Sequence, residues 1–237
     1  MAALANCSAA LGINIDSTLD NGIAASCLTS VAGNVNLDSS DNNVLKTVRF
    51  PLLTYTAGSL QVCHSNLSLG NAALKFIEVS SLLFVGGLFS LCSNYVLTSL
   101  YVSSLAFVGQ SFNIQRSEAI VLLDLPALTF VGQCFIVYFS LQLTLLNLPA
   151  LAFVGQYFEV TYNSILSMLS APALLKISGT CTNVKTVMEC GGTNWAVQIC
   201  YTAASFSYSS AISHAAAGKA CYLNHGIGCP GTVTICK

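Results

Sequence analysis

Cysteine, histidine and acidic side chains decide what chemistry this chain of 237 residues could perform, and its eleven cysteines are the most conspicuous of them. Cys181, Cys190, Cys200, Cys221, Cys229 and Cys236 crowd the last quarter, together with His214 and His225. A structural zinc site draws its thiolates from closely spaced pairs such as Cys-x-x-Cys. No such pair occurs in the tail, and "CYLNHGIGC" spaces its ligand types unevenly. Disulfides are therefore expected in place of a metal, and no cofactor is expected. Nucleophilic catalysis needs a base held beside its nucleophile. No Gly-x-Ser-x-Gly occurs, and nothing places either tail histidine, His214 or His225, near a carboxylate. So many cysteines point to an oxidising compartment. Residues 181–237 are read as a disulfide-rich cap or module, anchored by the lone Trp195, with its connectivity open.

Positioning of the remaining groups falls to a repeat. "FVGG" at 84–87 recurs as "FVGQ" at 107–110, 130–133 and 153–156, in steps of 23 residues. Phe89, Phe112, Phe135 and Phe158 keep the same step, as do Leu105, Leu128, Leu151 and Leu174. Pro126, Pro149 and Pro172 also align. A unit this short cannot bury its own apolar face, so neighbours must stack and share a core. Within "GQSFNIQ", Phe112 and Ile114 alternate with Ser111, Asn113 and Gln115, the period of a strand.

The expected fold is all-β, a parallel β-helix or leucine-rich-repeat-like solenoid. Residues 1–30 form an N-terminal cap with a degenerate first coil, and residues 31–180 form about six coils. Gly86, Gly109, Gly132 and Gly155 are expected at turns, through positive φ or close backbone approach. Asn94, Ser117, Ser140 and Asn163 fill a second turn column suited to side-chain hydrogen bonds with the backbone. The rival reading is a membrane span, since 131–153 is uncharged and long enough. Against it, the same columns carry Arg116, Glu118, Asp124 and Glu159 in flanking coils. Charged residues are 7% of the chain and its formal charge is −1, with no basic run for nucleic acid.

Stacking turns columns into surfaces. Polysaccharide hydrolysis needs paired carboxylates, but the outward column Ser90, Asn113, Ile136, Glu159 holds one acid, so no enzyme is expected. Cys63 and Cys92 fall in the column of Gln115 and Tyr138, where neighbours approach within the disulfide window of about 4.4–6.8 Å. A ladder disulfide is expected there, with two unlinked stacked thiols as the alternative. Asn6 in "NCS" and Asn66 in "NLS" are glycosylation sequons. Ser111, Asn113, Tyr157 and Glu159 mark the candidate binding face, mixed enough to engage glycans or surface proteins. An open coil edge would also pair with a second copy, making a homodimer.

"LPALTFVGQ" and "LPALAFVGQ" resemble the "LPxLxxVGG" repeat of receptor L-domain-like fungal cell-surface proteins, the GPI-anchored, cell-wall-organisation and sporulation-specific type. "CSAALGINID" followed by "CLTSVAGNVNL" resembles that family's N-terminal cysteine pair. The likeness covers roughly residues 7 to 180. It implies a right-handed parallel β-helix of the receptor L-domain kind, glycosylated and displayed at the cell surface or in the cell wall. It further implies a non-enzymatic role in wall organisation and a Cys7–Cys27 disulfide closing the N-terminal cap. Two departures stand out: "CFIVYF" and "SLQLTLL" are unusually apolar, and a Cys-rich tail replaces the Ser-rich stalk and anchor signal. "MAALANCSAALGINID" lacks a basic n-region, so a mature form or fragment is expected, with membrane attachment only through a lipid anchor outside this sequence. A ligand-binding ectodomain (an adhesin or receptor piece) is the alternative function, and a polysaccharide-active enzyme a weaker one.

Overall fold

Each 23-residue period closes one three-sided coil. Ser99–Tyr101, Phe107–Val108 and Phe112–Gln115 are strands, and Leu122–Asp124, Phe130–Val131 and Phe135–Tyr138 repeat them one coil later. The computed structural model describes residues 2–3, 9–15, 22–38, 45–63, 72–156, 158–166, 168–174, 176–177, 195–200 and 231–236. Among these residues there are strands and turns but no helix, hence no helix long and apolar enough to cross a membrane.

Like sides of successive coils pair in parallel. The first side is an eight-stranded sheet running from Ala9–Ala10 to Lys176–Ile177. The second side has seven strands, from Ile13–Ile15 to Phe158–Thr161. The third side has five strands, from Ala2–Ala3 to Ser99–Tyr101, then three more from Leu122–Asp124 to Met168–Ser170. Register follows the repeat: Phe107 lies opposite Phe130, and Phe112 opposite Phe135. The architecture is a β-solenoid, and the stretch 131–153 is one of its coils. Ala9–Ala10 and Ile13–Ile15 pair with Ser30–Val31 and Val35–Asp38, so the degenerate first coil lies in the stack. In the tail, Trp195–Cys200 and Gly231–Cys236 pair in parallel; the expected disulfides of the cap lie outside the described residues.

Inward residues fill one continuous core. Phe89, Phe112, Phe135 and Phe158 stack with centroids 5.0, 5.0 and 4.9 Å apart. Leu105, Leu128 and Leu151 are fully buried beside them. Burying each such side chain contributes about 1.5–3 kcal/mol, a gain available only because the coil above covers the coil below. Pro126, Pro149 and Pro172 occupy the second position of tight turns closed by Leu128, Leu151 and Leu174 backbone N–H groups, at 3.3, 3.3 and 3.2 Å. Proline presets the φ that this position needs.

The glycine column works by close approach. A Cβ on Gly132 would run into the carbonyl oxygen of Gly109, and one on Gly155 into that of Gly132. Positive φ falls elsewhere: Ser93, Arg116, Phe139 and Tyr162 stand at 58°, 52°, 55° and 56°. These four immediately precede the second turn column, which is buried as a whole. There Asn94 Nδ2 donates to the Val62 carbonyl at 2.9 Å and Asn163 Nδ2 to the Val137 carbonyl at 3.0 Å. Asn163 Oδ1 also accepts the Ser140 N–H at 2.8 Å. The shorter Ser117 and Ser140 hydroxyls are buried with no partner among the described residues.

Candidate functional site

The outward positions of the second side form two rows along the solenoid axis. One row carries Gln61, Ser90, Asn113, Ile136 and Glu159; the other carries Cys63, Cys92, Gln115, Tyr138 and Thr161. At the N-terminal end the first row is an amide ladder, with Asn36 Nδ2 donating to Asn14 Oδ1 at 3.1 Å. Strand alternation puts these groups outside because Phe, Leu, Ile and Val fill the intervening inward positions.

In the second row Cys63 and Cys92 are register partners with Cα atoms 4.5 Å apart, and a disulfide joins them. Ser90 Oγ lies 3.6 Å from Cys63 Sγ and 3.7 Å from Cys92 Sγ. The bridge spans 29 residues, one coil plus the insertion around "LSLGN". Asn66 in that insertion lies outside the described residues, as do Asn6, Cys7 and Tyr157. Cys27 is half-buried in a turn of the N-terminal part, and its implied pairing with Cys7 falls outside the described residues too.

The other candidate face residues are not gathered into one site. The Ser111 hydroxyl accepts the Cys134 N–H at 3.2 Å and donates to Gln133 Oε1 at 3.5 Å, so it braces a turn. Cys134 is itself buried, with Sγ 3.2 Å from Gln156 Oε1. Asn113 and Glu159 share a row, but Ile136 separates them by a whole coil. From Ser90 onward Glu159 is the sole acid in the two rows, so the carboxylate pair of glycoside hydrolysis has no counterpart on this stretch of the face.

Sequence reasoning missed the corner immediately beyond the second row. Arg116, Phe139 and Tyr162 stand above one another in the left-handed conformation, which costs a bulky L-residue about 1–3 kcal/mol. The Phe139 and Tyr162 rings stack at 4.9 Å and 17°. Tyr138 from the adjoining row meets Tyr162 edge-on at 5.1 Å and tilts against Phe139 at 5.0 Å. The Arg116 guanidinium lies 6.0 Å from the Phe139 centroid. Tyr162 is 40% exposed, and Tyr138, Phe139 and Arg116 are half-buried. The signal was available as a column, Ser93-Arg116-Phe139-Tyr162, one place before the buried Asn/Ser column.

A second aromatic ladder lies on the first side. Tyr55, Phe84, Phe107, Phe130 and Phe153 stack at 5.0, 4.8, 4.7 and 4.9 Å, close to parallel throughout. Its rings cover one another's faces throughout, whereas at the corner Phe139 and Tyr162 stack on each other and Tyr138 meets both at an angle. No protein-family model, curated protein or solved structure matches this chain.

Proposed function

We propose that this chain is a non-enzymatic extracellular protein of the cell surface or cell wall, contributing to wall organisation as the receptor L-domain-like fungal surface proteins do. The observation that carries this reading is the Cys63–Cys92 bridge, set on a half-buried outward row where a reducing cytosol would reach it. The sequons at Asn6 and Asn66 and the cysteine-dense tail belong to the same compartment. A stacked solenoid is well shaped for wall organisation, because its faces are extended and each coil adds surface without needing a new core. The test is non-reducing peptide mapping of material recovered from the wall or medium of cells expressing the native gene. Cys63 and Cys92 linked, with a glycan on Asn66, is the expected result. Both cysteines alkylated as free thiols would overturn it.

A second reading is a ligand-binding ectodomain, favoured by the exposed ring cluster at the second-side corner. Wall organisation and ligand binding are compatible if the ligand is itself a wall component. Turnover of β-glucan or chitin by the pure protein would instead favour the enzymatic reading.

A further inference from the structure

We infer that the corner built by Arg116, Tyr138, Phe139 and Tyr162 is a binding site for a neutral glycan chain lying along the solenoid axis. This deepens the surface-protein reading and rests on it for the ligand's availability. Coil corners are ordinarily made with residues that tolerate the left-handed region, glycine or asparagine above all. Here two aromatic residues and an arginine occupy it in successive coils. Core burial does not offset their backbone strain, since Arg116 and Phe139 are only half-buried and Tyr162 is 40% exposed. What the corner gains is a surface: three rings within about 5 Å of one another, with Arg116 at one end.

That surface matches the two-sided chemistry of a pyranose. Its C–H face packs on aromatic carbon, and its vicinal hydroxyls pair with planar side chains that offer two donors or acceptors at once. Gln115 stands in the row of Tyr138 one coil before it, Glu159 lies in the row beyond, and Arg116 closes the corner. Arg116 is balanced by the carboxylates of Glu118 and Glu159 on the same side of the chain, so no excess positive charge favours a phosphorylated or uronic ligand over a neutral one. The footprint covers three coils, about 10 Å along the axis, the span of a disaccharide. The first-side ladder differs in that its inner rings are covered on both faces by near-parallel neighbours, whereas Tyr138 meets its neighbours at an angle.

Isothermal titration of the full-chain protein with laminarihexaose and with chitohexaose tests the site, with decaproline as a peptide probe for aromatic grooves. At least one hexasaccharide is expected to bind with a Kd of about 1 mM or tighter. Phe139→Gly and Tyr162→Gly should each weaken it by about tenfold or more. Glycine is at home at these φ values, which offsets the lost ring contacts, and a cooperative melt of each variant above the assay temperature separates loss of binding from unfolding. Phe107→Leu, on the first side, should bind as the parent does. Failure of both sugars to bind the parent, binding unchanged by both glycine variants, or binding of decaproline alone would each overturn the proposal. None of these results would disturb the surface-protein reading, which is tested separately by the state of Cys63 and Cys92.

Discussion

At the scale of single residues, the second turn column shows how one atom more or less settles a coil. Asn163 reaches back one coil to donate to the Val137 carbonyl and accept the Ser140 N–H, so one side chain ties its coil to the one before. Ser140 sits in the same place one coil earlier, buried, and its hydroxyl finds no partner among the described residues. Asparagine there would reach the Ile114 carbonyl, which bears the relation to residue 140 that Val137 bears to 163. Ser140→Asn should therefore raise stability by about 1 kcal/mol, read as a higher urea midpoint at unchanged m-value; a lower midpoint would show that the column cannot hold three amides. The opposite sign applies at Gly132, where any Cβ meets the Gly109 carbonyl oxygen. Gly132→Ala should cost about 2 kcal/mol or more, seen as a depressed melting temperature. The glycines were legible in the sequence because only close approach or positive φ makes a recurring glycine necessary. The left-handed corner was not, because Arg116, Phe139 and Tyr162 are residue types that sterics normally keep out of it.

At the scale of elements, strands of two to four residues have no independent stability, and their pairing across coils must supply it. The columns made that pairing readable: once Phe112, Phe135 and Phe158 repeat at 23, parallel in-register sheets are the only arrangement that buries them all. The same logic located Cys63 opposite Cys92 despite the insertion between them, since Leu60 and Val62 keep the inward pattern ahead of it. Which outward residues form a site was much less legible. Outwardness follows from alternation, whereas the meeting of Tyr138, Phe139 and Tyr162 depends on where the chain bends after the strand. The bridge also carries an energetic prediction. It closes a segment of 29 residues, so Cys63→Ser with Cys92→Ser should lose about 3 kcal/mol. The loss is expected as a fall in urea midpoint under non-reducing conditions.

For the molecule as a whole, stacking means that stability accumulates from coil and interface terms along one axis, and periodicity is then a mechanical property that can be cut to measure. Removing residues 107–129 takes out one full period and joins Ala106 to Phe130. Phe130 then lies on Phe84 as Phe107 did, Phe135 lies on Phe89, and Val131 replaces Val108 inside. Every ladder is restored one coil shorter, and the Cys63–Cys92 bridge lies upstream of the cut. The shortened chain should fold cooperatively with the same circular dichroism per residue, and with an m-value lower roughly in proportion to the surface removed. Removing 107–117 deletes a similar kind of sequence but leaves the coil incomplete. An odd shift of register turns inward side chains outward, and unpaired strand edges are then exposed to other chains. That variant should aggregate or lose its cooperative transition. If the two deletions behave alike, the coils are not stacked in the order their columns demand, and the core would have to be assembled some other way.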